Sequence, residues 1–279
     1  MIVGIIGAGV VGSAIAAAYH RAGVRVYLSD PKLGSDSTPV AALVNGPVDI
    51  IYVCVGSPAL PTGACDTSTL ETVINELVAL GYSGPVVCKT TAPPEVYQRL
   101  QQQCPTLIHS PEFLRQHTAL VDVLTPQYII YGGDRSVAEK VHALDTAIFA
   151  DVIRLPTVFY TSIESAALFK YLRNSFLASK VTFLNEFYEL AQNLGISWQE
   201  VSNIIFHDPA FGNSHNHVPG PDNCYGWAGG CFPKDLDAVR HMANMLGVPV
   251  DQLSATIKAN ARHRVCLQTT PSQLSLLGF

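Results

Sequence analysis

Residues 229–235, which read GGCFPKD, contain the residue types of a covalent catalyst. Cys231 follows two glycines, which let the backbone approach a ligand closely. Lys234 and Asp235 come within the next four positions. A thiol beside a cation is more readily held as the thiolate, which is the nucleophilic form. The segment therefore predicts nucleophilic chemistry at Cys231, against the structural role that a single cysteine more often has.

A second segment has the glycine spacing of a turn that binds a dinucleotide. Glycines at positions 7, 9 and 12 follow an apolar run and open a helical stretch. They allow a tight turn and bring a pyrophosphate close to the helix N-terminus, where free N–H groups attract anions. Asp30 ends the next apolar run, so its carboxylate can accept ribose hydroxyls and repel a 2′-phosphate. The pattern predicts NAD as the cofactor, held by Gly7, Gly9, Val10, Val11, Gly12, Asp30 and Lys32.

These residues need a scaffold in which strands and helices alternate. Apolar runs of strand length are separated by helical stretches, a pattern typical of a doubly wound parallel sheet. We therefore expect an α/β fold with an N-terminal Rossmann sheet. The predicted strands are residues 2–6, 24–29, 50–55, 85–89, 106–109, 128–131 and 152–155, and the predicted helices are residues 13–22, 69–80 and 94–103.

The chain changes character after about residue 156. Residues 162–194 contain neither proline nor glycine, and apolar residues recur at roughly helical spacing, which predicts one long central helix. Such a helix is about 50 Å long, so part of it is expected to pack against another domain or a second copy of the chain. We predict a homodimer. A small all-helical domain is expected to follow, with helices at residues 197–205, 234–246 and 250–264. The predicted domains are residues 1–157, residues 158–268 and a tail at 269–279.

Composition excludes several classes of partner. The formal net charge of −5 and the absence of a basic stripe argue against nucleic acid and anionic membranes. No apolar run reaches the roughly 18 residues of a membrane span, and the apolar N-terminus lacks the basic flank of a signal peptide. The seven cysteines are odd in number and scattered, which predicts reduced thiols and a cytoplasmic protein.

Five segments, in order along the chain, resemble motifs of the nucleotide-sugar 6-dehydrogenases, the family of UDP-glucose and GDP-mannose dehydrogenases. They are residues 54–58 (CVGSP) with 66–68 (DTS), residues 89–93 (KTTAP), residues 110–115 (SPEFLR), residues 170–186 and residues 229–235. The resemblance implies oxidation of a primary alcohol to a carboxylate with two NAD⁺. In that chemistry Cys231 forms a thiohemiacetal and then a thioester, which water hydrolyses.

The same resemblance implies a role for each matching residue. Lys170 and Asn174 lie four apart on the predicted helix and share a face, so both can donate to a developing oxyanion. Glu112 corresponds to the general base, and Thr91 positions water or a substrate oxygen. Asp235 assists proton transfer or orients Lys170. The implied catalytic set is Cys231, Lys170, Asn174, Glu112, Asp235 and Thr91. Further expected cofactor contacts are Val55, Gly56, Thr91 and Glu112, and the expected substrate contacts are Phe113, Leu114, Lys170, Asn174, Gly230 and Lys234.

The sequence departs from the family where substrate is recognised. Ala210 stands where the family has an arginine that binds the sugar, and Gln116 stands where it has a glutamate. Family members also continue into a second nucleotide-binding domain, so we expect a shortened form. His215, His217 and Cys224 lie in an unusual loop, but their spacing matches no common metal site and no metal is predicted.

Two other functions stay open at this point. A two-electron dehydrogenase of the β-hydroxyacid type also combines a Rossmann domain with a helical half, and it needs no cysteine. A protein that binds NAD without turnover is the other alternative. The sequence leaves the identity of the substrate open.

Overall fold

The computed structural model describes residues 1–150 and 154–264. The chain divides into two units, one formed by Met1–Pro61 with Cys65–Lys170 and the other by Thr62–Ala64 with the residues from Tyr171 onward. The predicted tail at residues 269–279 lies outside the described residues.

The first unit contains a seven-stranded sheet in the described residues, with the order β2-β1-β3-β4-β5-β6-β7. The strands are β1 Ile2–Ile6, β2 Arg25–Ser29, β3 Ile50–Val53, β4 Val86–Cys88, β5 Leu107–His109, β6 Tyr128–Gly132 and β7 Thr157–Thr161. All neighbours are parallel except β5 and β6, which meet antiparallel at His109 and Gly132. The prediction of a parallel sheet is therefore wrong for the pair β5 and β6. The connection between these two strands holds a short helix and need not return the chain to the opposite edge of the sheet.

Helices cover both faces of this sheet. They are α1 Val10–Arg21, α2 Val40–Asn45, α3 Ser68–Ala79, α4 Pro94–Gln103, α5 Ala119–Leu124 and α6 Arg135–Asp145. One apolar cluster includes Val53, Leu70 and Tyr97, and a second includes Ile5 and Tyr131. Because the central strands are buried on both faces, their sequences are continuous apolar runs. This architecture confirms the predicted Rossmann-like α/β fold.

Some elements escaped the sequence prediction. Of the predicted strand at residues 152–155, residues 152 and 153 lie outside the described residues and residues 154 and 155 are not in a strand; the last strand is instead β7. Sequence periodicity missed α2, α5 and α6 because they are short or weakly apolar. A capping signal for α6 was present, since the carboxylate of Asp134 accepts hydrogen bonds from the backbone N–H groups of Ser136 and Val137.

The remaining helices begin with the long one. They are α7 Ile163–Asn193, α8 Trp198–His207, α9 Phe232–Leu246 and α10 Asp251–His263. The 31-residue α7 confirms the long central helix. In the second unit, one apolar cluster joins Ala178 and Val181 to Trp227, Leu236 and Leu253. Within the described ranges, no helix combines the length and apolarity that crossing a membrane requires.

Candidate active site

The loops at the carboxyl edge of the sheet contain most of the predicted site residues of the first unit. The five parallel strands β1 to β5 are each followed directly by the first residue of such a loop, in order Gly7, Asp30, Cys54, Lys89 and Ser110. Because these strands run in the same direction, their carboxyl ends lie along one edge. Ligands of open α/β sheets bind at this edge, where the strand order reverses.

The glycine turn after β1 has the backbone geometry that a dinucleotide requires. Gly7 has φ +97°, and a Cβ there would lie 2.7 Å from the carbonyl oxygen of Cys54. A Cβ on Gly12 would lie 1.9 Å from the carbonyl oxygen of Gly7, whereas one on Gly9 would meet nothing within 4 Å. Gly9 precedes α1 without a side-chain cap, so no side chain occupies the N–H groups at this end. The turn therefore fits the pyrophosphate of NAD.

Asp30 is bound to the glycine turn itself. Its Oδ2 accepts a hydrogen bond of 2.7 Å from the N–H of Ala8, and its Oδ1 accepts one of 2.8 Å from the N–H of Lys32. These backbone hydrogen bonds, that of Ala8 above all, lower the pKa of Asp30. The carboxylate is thus ionised near neutral pH and held beside the turn. Val10 and Lys32 are exposed there, and Val11 is half-buried.

Hydrogen bonds connect the loops that follow β3 and β4. The hydroxyl of Thr90 donates to the carbonyl of Val55 at 2.9 Å, and the hydroxyl of Tyr97 donates to the carbonyl of Thr90 at 2.5 Å. The neighbouring Thr91 is half-buried, and its carbonyl accepts a hydrogen bond from the thiol of Cys65. Gly56 is exposed at the same edge. The predicted cofactor residues therefore lie on two loops that are joined by a hydrogen bond.

Two residues of this edge have no role in the sequence prediction. Lys89 is half-buried and donates a 2.9 Å hydrogen bond to the hydroxyl of Ser110. His109 is fully buried, its Nδ1 lies 3.0 Å from the carbonyl oxygen of Cys88, and its ring stacks on Tyr97 at 4.1 Å. Burial lowers the pKa of His109 to about 3, so the imidazole is neutral. The available signal was a histidine that ends an otherwise apolar strand.

Glu112, Phe113 and Lys170 are brought together within the first unit. The ammonium of Lys170 donates a hydrogen bond to the backbone carbonyl of Glu112 and lies 5.1 Å from the centre of the Phe113 ring. The carboxylate of Glu112 accepts a 2.5 Å hydrogen bond from the N–H of Phe113. Lys170 is buried, and Leu114 is half-buried against the apolar cluster of the sheet. The contact to Glu112 orients the lysine side chain.

Cys231 lies in the second unit, immediately before α9. It is the N-cap of that helix, and its thiol is free and exposed. The positive end of the helix dipole favours negative charge at this position. Gly229 has φ +84°, and a Cβ added to either Gly229 or Gly230 would meet nothing within 4 Å. The loop therefore leaves open space on the approach to the thiol.

A buried carboxylate lies one helical turn after the thiol. Asp235 is 1% exposed, accepts a 2.6 Å hydrogen bond from the amide of Asn174 and forms a 2.6 Å ion pair with Lys234. Its own N–H donates to the carbonyl of Cys231 at 3.0 Å. The cation of Lys234, which the sequence placed beside the thiol, is therefore paired with Asp235. The structure thus brings Asn174, Lys234 and Asp235 together.

The loop before the thiol is anchored by a lysine of α7. The ammonium of Lys180 donates to the carbonyls of Phe211 and Ser214, next to the exposed Ala210. His215 packs near Phe232. In the part of the chain that the structure describes, no group of three or more His, Cys, Asp or Glu side chains has the arrangement of a metal site.

Among the described residues, five cysteines are thiols that form no disulfide, namely Cys54, Cys65, Cys88, Cys104 and Cys231.

Two family models match this chain. The NAD binding domain of the UDP-glucose/GDP-mannose dehydrogenase family matches residues 37–152, and the central domain of the same family matches residues 164–262. The UDP-glucose 6-dehydrogenase of Rhizobium meliloti is 30% identical over 223 residues, which are 76% of this chain and 50% of the relative. The chain spans about half the length of the curated relatives it matches.

Solved structures extend the comparison to the fold. A UDP-glucose dehydrogenase from Pyrobaculum islandicum has a TM-score of 0.78 and 25% identity, covering 94% of this chain and 68% of that chain. A 3-hydroxyisobutyrate dehydrogenase from Mycobacterium tuberculosis has a TM-score of 0.72 and covers 100% of this chain and 99% of that chain. Its 16% identity shows a shared fold alone.

Proposed function

The chain belongs to the UDP-glucose/GDP-mannose dehydrogenase family, and we propose that it oxidises the C6 alcohol of a nucleotide sugar to a carboxylate, with Cys231 as the nucleophile. NAD is the cofactor, because the first unit contains the NAD-binding domain of this family. The proposed overall reaction converts the alcohol, two NAD⁺ and one water into the carboxylate, two NADH and three protons.

One observation carries the proposal for Cys231. Among the five free thiols of the described residues, it is the only exposed one. Burial raises the pKa of Cys54 to about 12 and raises those of Cys88 and Cys104, so these thiols stay protonated and unreactive. Cys231 is accessible to a substrate and lies at the N-terminal end of α9.

NAD⁺, when bound at the glycine turn, accepts the hydride in each of the two oxidations. Between them, the S–H bond of Cys231 breaks, the sulfur forms a bond to the aldehyde carbon, and the carbonyl oxygen becomes a hydroxyl as it gains a proton. Oxidation of that carbon restores the carbonyl as a thioester. Water then adds to the thioester carbon, the C–S bond breaks, and the sulfur recovers its proton from the surroundings.

The proposed helpers act on oxygen atoms. Lys170 and Asn174 donate to the oxyanion that develops when the sulfur attacks, and both side chains are buried. The contact between Asn174 and Asp235 fixes the orientation of the amide, which saves reorganisation during the reaction. Glu112 is proposed as the base that activates water, with Thr91 positioning the water or a substrate oxygen. The proposed substrate contacts are Phe113, Leu114, Lys170, Asn174, Gly230 and Lys234.

We further propose that the protein is a homodimer through α7. Large apolar side chains are exposed along this helix and at its end, at Leu172, Phe176, Phe183, Phe187, Leu190 and Leu194. Their spacing of three, four or seven residues places them on one stripe of the helix. Contiguous apolar surface of this kind marks an interface, and a second copy buries it most simply.

The cytoplasm is the proposed location, supported by the five cysteines that form no disulfide. Thiol labelling of the protein in intact cells tests this location.

The function is tested by counting NADH. UDP-sugars, GDP-sugars and simple sugar alcohols are screened with NAD⁺, and NADH formed is compared with substrate consumed. Two NADH per substrate with wild type, and no carboxylate product with Cys231→Ser, support the thioester route. Cys65→Ser, which alters a half-buried thiol, is the matched control. One NADH per substrate with an active Cys231→Ser supports the β-hydroxyacid type. NAD binding with no NADH from any substrate supports a protein without turnover.

A further inference from the structure

The backbone of Trp227, four residues before Cys231, is bound on both sides by one buried side chain. The N–H of Trp227 donates to Oδ1 of Asn260 at 2.7 Å, and Nδ2 of Asn260 donates to the carbonyl of Trp227 at 2.9 Å. Only an amide side chain offers a donor and an acceptor in this arrangement. Both residues are 8% exposed, so water competes little for these bonds.

Two further contacts hold the same point of the loop. The N–H of Gly226 donates to Oδ1 of Asn185 at 3.0 Å, and the indole N–H of Trp227 donates to the hydroxyl of Thr182 at 2.9 Å. Gly226 has φ +66°, and a Cβ there would lie 2.4 Å from Oδ1 of Asn260. Glycine is therefore required for this close approach. The loop is attached to α7 and α10 at the dipeptide Gly226–Trp227.

The thiol lies between this attachment and a second one. On its far side, Asp235 binds Asn174 and donates its N–H to the carbonyl of Cys231. On its near side, only residues 228–230 separate Cys231 from Trp227, and two of these are glycines. Because each residue spans at most about 3.5 Å, this short segment limits how far Cys231 can lie from Trp227.

We propose that Asn260 is a positioning residue for Cys231. It acts through the backbone of Trp227 and holds the start of the glycine segment, so that the sulfur occupies one place relative to the substrate carbon. This inference rests on the proposed function, in which Cys231 is the nucleophile. A displacement of about 1 Å at a reacting atom lowers a rate by up to about 100-fold, and a loosened loop permits such displacements.

The test uses two variants and a matched control. Asn260→Asp keeps the size and the acceptor but loses the donor to the carbonyl of Trp227, and Asn260→Ala loses both. Thr256→Val is the control, because it removes a 3.1 Å contact between hydroxyls of Thr256 and Ser179 that also joins α10 to α7 but includes no residue of the loop. Thr256 is similarly buried, at 7% exposed.

Two quantities are measured on the full chain. Amide hydrogen exchange of the peptide spanning residues 225–231 is expected to rise at least tenfold in both Asn260 variants and to stay unchanged in Thr256→Val. With the substrate identified by the NADH screen, kcat per folded molecule is expected to fall about 10- to 100-fold in the Asn260 variants, with KM for NAD⁺ and for substrate within threefold. A merely structural role lowers the amount of folded enzyme but leaves kcat per folded molecule unchanged.

Unchanged exchange of residues 225–231 in Asn260→Ala overturns the proposal whatever the activity. Faster exchange with an unchanged kcat also overturns it, and so does failure of Asn260→Asp to fold, which assigns Asn260 to stability. Full turnover by Cys231→Ser overturns the proposed function, and this inference with it, whereas an inactive Cys231→Ser confines any failure to Asn260.

Discussion

The buried imidazole of His109 makes the stability of the first unit sensitive to acid. Burial lowers its pKa from 6.5 to about 3, while the same side chain in the unfolded chain keeps a pKa near 6.5. Between about pH 6.5 and pH 3, His109 binds a proton in the unfolded chain but not in the folded protein. The folded state therefore loses stability as the pH falls from about 6.5 toward 3.

The size of this effect follows from the two pKa values. Between pH 7.5 and pH 5.0, the proton taken up by the unfolded chain is worth about 2 kcal/mol, and almost none of this has been lost at pH 7.5. We expect His109→Asn, whose amide can still donate to the carbonyl of Cys88, to lose about 2 kcal/mol less than wild type over this range. The comparison of slopes removes any constant destabilisation that the substitution itself causes.

The assay must follow the first unit. Both tryptophans, Trp198 and Trp227, belong to the second unit, so fluorescence of tryptophan reports on the wrong part of the chain. Hydrogen exchange of the amides of β4 and β5 at several pH values, corrected for the intrinsic exchange rate, measures the opening of the segment around His109. His20→Asn is the control, since His20 is exposed in the same unit. Equal loss of protection in wild type and His109→Asn would refute the reasoning.

Three further predictions concern the cofactor turn, alkaline stability and assembly. Gly9→Ala should fold normally but bind NAD at least tenfold more weakly in calorimetry, because its Cβ occupies open space at the turn. Gly12→Ala should instead fold poorly, because its Cβ meets the carbonyl of Gly7. Equal folding and equal NAD affinity of the two variants would contradict this prediction. Burial raises the pKa of Tyr131, so the unfolded chain ionises first and stability falls above about pH 10. Tyr131→Phe should reduce the dependence of stability on pH in alkaline denaturation. The variant should also lower stability at pH 7 by about 1–3 kcal/mol, because it loses a hydrogen bond to a buried carboxyl group. Phe176→Glu should halve the mass seen by light scattering, and a wild-type monomer would contradict the proposed dimer.

Local signals located many elements of the fold. The helix predicted at residues 94–103 is α4 Pro94–Gln103, because a proline at its start and an apolar face leave few alternatives. The long helix predicted at residues 162–194 is α7 Ile163–Asn193, since no residue within it interrupts helical hydrogen bonding. The direction of β6 was not predictable in this way, because an apolar strand has the same pattern in either orientation.

The amino-acid sequence by itself determined the kinds of chemistry available here: a glycine turn for NAD, a cysteine among glycines, and the order of strands and helices that carries them. These follow from residue type and short spacing, which act through local backbone geometry. Only the tertiary structure decided which polar groups meet. Asn174 and Asp235 are 61 residues apart, and Trp227 and Asn260 are 33 apart, yet each pair is buried and hydrogen-bonded. Such partners are selected because a polar group that loses water on burial must find another donor or acceptor, and only the packed fold determines which one is in reach.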